Sequence, residues 1–174
     1  MFVRVLEAPT EADWMKVKQR ALVTIGADAK TPPTKEWKHA ILEARHSPIR
    51  RLWFSFYIEC PYWVSVHLCR HIHAQPYVQS QRNDRQSRYD RDKAQQNTEV
   101  KMILDVNAEE LMVIANKRLC SKAAPETRNL VEMMCAMAVN RCPEFADFLV
   151  PMCVYHGNVC HEMYPCGRCD NANS

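Results

Sequence analysis

The sequence predicts an α+β fold, and three observations carry that reading. Two runs, Leu52–Glu59 and Val100–Val106, read as strands, the first from its aromatic and β-branched content and the second from its alternation. Around them lie helical stretches with recognisable start signals, and strands mixed with several helices make the class α+β. Only three glycines, Gly26, Gly157 and Gly167, are spread over 174 residues. Neither a GxGxxG dinucleotide loop nor a GxxxxGKS/T phosphate loop can therefore be written, and any nucleotide is handled without one.

Each element follows from local signals. Phe2 to Leu6 alternates weakly and reads as a short strand. Thr10 with Asp13 three residues later opens a helix over 11–24. Pro32 and Pro33 break the chain, and Thr34 caps a second helix to about Arg45. After the buried strand Leu52–Glu59, Pro61 suits the first turn of a helix through about His71. Ala74 to Gln96 is the most polar stretch and reads as a loop, with Arg82, Arg85, Arg88, Arg91 and Lys93 interleaved with Asp84, Asp90 and Asp92. The strand Val100–Val106 leads into Asn107, which with Glu110 fits a capping box for a helix to about Cys120. Pro125 and Glu126 start another helix, whose Met133, Met134 and Met137 read as core or subunit contact. Beyond Pro143 the chain becomes short-ranged and cysteine-rich. One domain over 1–150 is expected, with 151–174 as a cysteine-rich tail of the same domain.

Composition excludes several classes. Hydrophobic residues make up 47% and charged residues 25%, ordinary for a soluble globular protein and unlike a disordered one. The net charge of +3 is too small to imply nucleic acid. No stretch approaches the roughly 18 apolar residues of a membrane span. Arg4 and Glu7 interrupt what would have to be a signal peptide's apolar region, so export is not expected. Nine cysteines, an odd number, then read as reduced thiols of a cytoplasmic protein.

The stretch that carries chemistry is Ser47 to Asp84. Within it, Arg70-His71-Ile72-His73-Ala74-Gln75-Pro76-Tyr77-Val78-Gln79-Ser80-Gln81-Arg82 gathers arginines, histidines, glutamines and a serine around a helix end and the loop after it. Phosphate recognition without glycines needs fixed guanidinium forks, hydroxyls and loop amides, and a pyrimidine ring needs amide donors and acceptors such as Gln79. A solvated polar loop is the plain alternative.

This stretch resembles the signature of flavin-dependent thymidylate synthases, Arg-His-Arg, seven residues, then Ser and a further Arg. Arg70, His71, Ser80 and Arg82 fall at the matching spacing. Upstream, Ser47-Pro48, Phe54-Ser55-Phe56 and Pro61 sit where that family has a small-hydroxyl–Pro pair, a Phe-Thr-Phe strand and the start of the signature helix. Downstream, Val106-Asn107-Ala108 resembles its Asn-Ala-Arg, Arg118 lies where a later helix supplies an arginine, and Glu126 matches a glutamate of the next helix. The resemblance spans roughly residues 17–140. Departures are Ile72 for the second signature arginine, Val78 for a glutamate, Asn83 for a tyrosine, Glu109 for the arginine of Asn-Ala-Arg, and His67 for a glutamine.

The resemblance implies a small, mostly antiparallel sheet flanked by helices. It also implies conversion of dUMP to dTMP with a methylene group from 5,10-methylenetetrahydrofolate and a hydride from reduced FAD, regenerated by NADPH. By the same resemblance Ser47, Arg70, His71, Ile72, His73, Asn107 and Val113 would meet FAD, and His67, Arg70, Gln79, Ser80, Arg82, Arg91 and Arg118 would surround dUMP. Arg118 would be catalytic, since a permanent cation beside uracil favours loss of its N3 proton and makes C5 a better nucleophile. A homotetramer with shared sites is implied as well. His67, His71 and His73 offer a metal-site alternative, the first two sharing a helix face. Cys153, Cys160, Cys166 and Cys169, with His156 and His161 among them, hold half of a zinc-knuckle spacing. Two other functions stay open: a relative that leaves a different group at C5, such as hydroxymethyl, and a zinc-containing nucleic-acid-binding module.

Overall fold

The structure, a computed structural model, describes residues 1–86 and 90–171; Arg88 of the polar stretch lies outside the described residues. The α+β expectation holds. Strands β1 (Phe2–Glu7), β2 (Trp53–Pro61), β3 (Ala74–Val78) and β4 (Glu99–Asn107) form an antiparallel sheet in the order β1-β2-β4-β3. The register sets Phe54 opposite Val106, Phe56 opposite Leu104, Ile58 opposite Met102 and Cys60 opposite Val100. All eight are buried, so one face of the two central strands is apolar from end to end. Burying a side chain the size of Phe54 or Phe56 contributes about 1.5–3 kcal/mol. The aromatic run of β2 nevertheless serves two faces. Its alternate residues Trp53, Tyr57 and Glu59 are only partly covered.

Helices cover the apolar face. Helix α1 (Glu11–Val23) begins with a complete capping box between Thr10 and Asp13, and sends Trp14 and Val17 into the core. Helix α2 (Lys35–Glu43) is capped by Thr34 and ends two residues earlier than its sequence suggests. Arg45 takes a left-handed conformation, φ +46, and the amides of Arg45 and His46 bond back to the carbonyls of Leu42 and Ile41. That is a Schellman ending, with arginine where glycine is usual. Helix α5 (Pro125–Arg141) lays Leu130, Val131, Met134 and Ala138 against β1 and β2. Met134 is core, whereas Met133 and Met137 are only partly buried against it. Phe145 closes the layer, edge-on to Phe54 at 5.3 Å between ring centroids.

Three local expectations are corrected. Helix α3 (Tyr62–Cys69) stops before the signature rather than running to His71, and Arg70 is its cap residue. The polar stretch that reads as one loop contains β3, an edge strand on β4. Pro76 within it conceals the strand signal, and an edge tolerates the missing N–H. Helix α4 (Ala108–Arg118) has only half of its capping box. Asn107 Oδ1 accepts from the Glu110 amide at 3.0 Å, but the Glu110 carboxylate points elsewhere. After Pro143 come α6 (Met152–Tyr155) and a two-residue parallel pair, β5 (Val159–Cys160) with β6 (Asp170–Asn171). Among the described residues no helix is long and apolar enough to cross a membrane.

Candidate functional site

The turn between α3 and β3 and the beginning of α4 meet at one end of the sheet, because Ala74 at the start of β3 is paired with Val106 at the end of β4. This places Arg70, His71, Ile72 and His73 beside Asn107. The helical turn at Ser47–Arg51 joins them, since the Ala108 amide donates to the Leu52 carbonyl at 2.8 Å. Two cavities open here. One, of about 260 Å³, is lined by His73, Asn107 and Val113 together with Arg45, Arg50, Glu109 and Glu110. The other, of about 320 Å³, is lined by His71 and Arg118 with Lys117, Cys120, Lys122, Ala123 and Glu162.

Arg118 is the best-held of the expected residues. Its Nε donates to His71 Nε2 at 3.1 Å, and its Nη2 donates to the His67 carbonyl at 3.1 Å. Burial, then the charge of Arg70, pulls its pKa down, yet a guanidinium starts so high that it stays cationic near neutrality. His71 Nδ1 lies 3.1 Å from Glu110 Oε1, and both side chains are almost fully buried, 10% and 7% exposed. Burial lowers the His71 pKa, Arg118 adds to that, and the hydrogen bond to Glu110 opposes both. His67 is lowered too, by burial and then by Arg118 and Arg70, and its Nδ1 meets the hydroxyl of buried Thr127 at 2.8 Å.

The first cavity sets two arginines against two carboxylates, Arg45 and Arg50 against Glu109 and Glu110. At the start of α4 the Ala108 amide is already taken by the Leu52 carbonyl and the Glu110 amide by Asn107 Oδ1. Arg50 pairs with Glu109, while Arg45 stacks on Tyr155 at 4.6 Å and donates to Asn116 Oδ1 at 2.5 Å. The Arg45 Nε is buried without a partner among the described residues. Nearby, Ile72 leaves 83% of its surface exposed, unusual for an isoleucine. Ser47 is exposed at the first position of its turn.

The other expected residues are not in either cavity. Gln79 is tied to β4, its amide donating to the Lys101 carbonyl and its Oε1 accepting from the Lys101 amide. Ser80 Oγ accepts from the Arg82 amide at 3.3 Å. The Arg82 guanidinium, with 60% of the side chain exposed, forks onto Asp84. Arg91 is exposed, with its backbone amide on Asn83 Oδ1. A single chain therefore gathers His67, Arg70, His71, His73, Asn107, Val113 and Arg118 at one end of the sheet, and leaves Gln79, Ser80, Arg82 and Arg91 outside those cavities.

The histidine metal alternative is corrected. His67 and His71 do not share a helix face, because α3 ends between them and each ring has its own partner. Cys153, Cys160, Cys166 and Cys169 line a separate cavity of about 160 Å³ with Cys120, His156 and His161. There the Ser121 side chain and the Arg168 backbone lower the Cys166 pKa, and the Cys153 thiol raises that of Cys169. Among the described residues no three of His, Cys, Asp and Glu are placed to hold a metal ion.

Sequence reasoning missed Glu110, Arg45, Arg50 and Thr127. Glu110 carried a signal, a carboxylate within a helix otherwise buried at Ala108, Leu111, Met112 and Ala115. Arg50 carried none, since an exposed arginine in a turn is ordinary.

Comparison with known proteins bears on the family and the fold. The sequence model of the family described as thymidylate synthase complementing protein matches residues 91–144. Two solved structures share the fold. One is a UMP/dUMP methylase, PolB from Streptomyces cacaoi, bound with 5-Br dUMP; it is 16% identical, with a TM-score of 0.67 over 86% of this chain and 96% of that one. The other is thymidylate synthase X (ThyX) from Helicobacter pylori with FAD and dUMP; it is 15% identical, with a TM-score of 0.63 over 79% and 93%. No curated protein matches the chain. The chain thus resembles the flavin-dependent thymidylate synthases in sequence over one segment and in fold over most of its length.

Proposed function

We propose that this chain is a flavin-dependent thymidylate synthase, forming dTMP from dUMP with 5,10-methylenetetrahydrofolate and NADPH. The observation that carries the reading is Arg118. It is gripped on one side by His71 Nε2 and the His67 carbonyl, while its Nη1 has no protein partner among the described residues and the side chain borders a cavity. Such a guanidinium faces a flat, acidic heterocycle with its charge fixed in direction. Negative charge that develops on the uracil ring as N3 loses its proton is stabilised there, and C5 gains nucleophilic character without an enzyme thiolate. Ser80 then serves as a hydrogen-bonding group to the nucleotide.

FAD suits the first cavity. The Arg45 and Arg50 guanidinium groups that line it suit an anionic diphosphate, and exposed Ile72 offers an apolar surface to a ring. Bound and reduced, that cofactor supplies the hydride. Arg45, Arg50, His73, Asn107 and Val113 would hold it, and Ser47, Arg70 and His71 would border it. Gln79, Ser80, Arg82 and Arg91 complete the nucleotide site from another subunit of a homotetramer. Supporting that assembly, Tyr77 and Ile103 are exposed and paired with each other across the sheet's outer face.

The test is dUMP turnover with methylenetetrahydrofolate, NADPH and added FAD, the product identified by mass. Methylated dUMP is expected. No dTMP above a boiled control overturns the proposal, and a hydroxymethyl product moves the chain to a different C5 chemistry.

A further inference from the structure

The Glu110 carboxylate is free of the capping role its position suggests, because Asn107 Oδ1 alone serves the α4 start. It is buried, and its partner is His71 Nδ1. The opposite ring nitrogen faces Arg118 Nε at 3.1 Å. A guanidinium N–H only donates, so His71 Nε2 must present its lone pair. The ring proton therefore sits on Nδ1 and is donated to Glu110. Proton placement follows here from the partners on both sides of the ring.

Other charged groups surround the ring. Arg118 and Lys117 come from α4, Lys122 and the Cys120 thiol from the turn after it, Arg70 and His67 from the end of α3, and Glu162 from the tail. Among the described residues Glu110 is the acceptor that touches the ring. A doubly protonated His71 would set Nε2–H against Arg118 Nε–H, two donors face to face, and Arg118 would keep only its bond to the His67 carbonyl.

We infer that Glu110 is a positioning residue for Arg118: it holds His71 in the Nδ1–H tautomer, and the Nε2 lone pair so fixed aims the guanidinium at the substrate ring. Only the last clause rests on the proposed function. The tautomer stands without it.

The experiment uses full-length protein labelled with ¹⁵N-histidine, in which imidazole nitrogen shifts report the His71 tautomer and its titration. Wild type shows a protonated Nδ1 and an unprotonated Nε2. In E110Q the amide oxygen still accepts from Nδ1–H, so the tautomer persists, but the lost negative charge moves the His71 titration to lower pH. The acidic limb of kcat/KM follows it. In E110A the acceptor is gone, the two tautomers mix, and kcat for dUMP falls about 10- to 100-fold. A His71 titration in E110Q unchanged from wild type overturns the inference, as does an E110A ring that keeps a single Nδ1–H tautomer. If E110A does not fold, the E110Q titration decides alone. The expected tautomer in a wild-type protein that does not turn over dUMP supports the tautomer relay and overturns the proposed function instead.

Discussion

Replacing Arg118 with lysine keeps the charge and removes the fork. Arg118 makes two hydrogen bonds to acceptors on different groups, the His71 ring and the His67 carbonyl, each at 3.1 Å. An ammonium at the end of a flexible stem reaches one of them and leaves the other unpaired in a half-buried site. A hydrogen bond to a charged group is worth about 1.5–3 kcal/mol, and partial exposure puts this one at the low end. R118K is therefore expected to lose about 2 kcal/mol of stability in urea unfolding. For a domain of this size that is a fall in Tm of about 4–8 °C. Turnover of dUMP should drop about 100-fold or more, because a cation that is present but misdirected loses most of its differential stabilisation. R118M, with no charge, should fall further. An R118K protein with wild-type unfolding and wild-type turnover would refute the claim that direction, rather than charge alone, is what the His71 and His67 contacts provide.

Three further outcomes are expected. N107A removes the acceptor for the Glu110 amide and should cost about 1 kcal/mol in urea unfolding, with weaker FAD binding by fluorescence titration. R45A and R45G both lose the stack on Tyr155 and the bond to Asn116. Only alanine keeps the strain of a positive φ, so R45G should be the more stable by about 1 kcal/mol, and equal midpoints would count against that strain. Asp13, held at a pKa of about 2 chiefly by Lys16 and the Thr10 hydroxyl, contributes stability above its ordinary titration range that is lost as pH falls through about 2. D13N should lose about 1 kcal/mol at neutral pH and nothing at the acidic end, read from unfolding midpoints across pH.

Much of the fold was legible because local rules decided it. Thr10, Thr34 and Asn107 cap the helices their spacing announces, and β2 and β4 lie where their patterns put them. The elements that were not legible depend on partners distant in sequence. β3 exists because β4 offers an edge, and its own residues, with Pro76 in the middle, do not announce a strand. Glu110 has the local signature of a capping-box acid, yet the buried His71 ring competes for its carboxylate and prevails. The site divided in the same way. Motif spacing singled out His71, Asn107 and Arg118, which line the two cavities, whereas Arg45 and Arg50 reach the first cavity through a helix ending and a turn whose conformations no short pattern specifies.

Those unforeseen residues also explain how the site tolerates its own composition. Arg45 and Arg50 lie at one cavity, Arg118 at the next, and Arg70 close enough to Arg118 to depress its pKa. Guanidinium groups so placed repel one another, and burial sharpens the repulsion. Two consecutive carboxylates at the start of α4 answer it in opposite directions, Glu109 outward to Arg50 and Glu110 inward through His71 to Arg118. Both also sit where the helix dipole favours negative charge, so the same residues steady the helix and the cations. With Lys117, Lys122 and Glu162 at the second cavity, four guanidinium groups and two lysines against three carboxylates still leave the region positive, which suits the phosphorylated ligands of the proposed function. Glu109, which departs from the arginine of the resembled motif, then counts as the counterion that allows Arg50 to stand where it does.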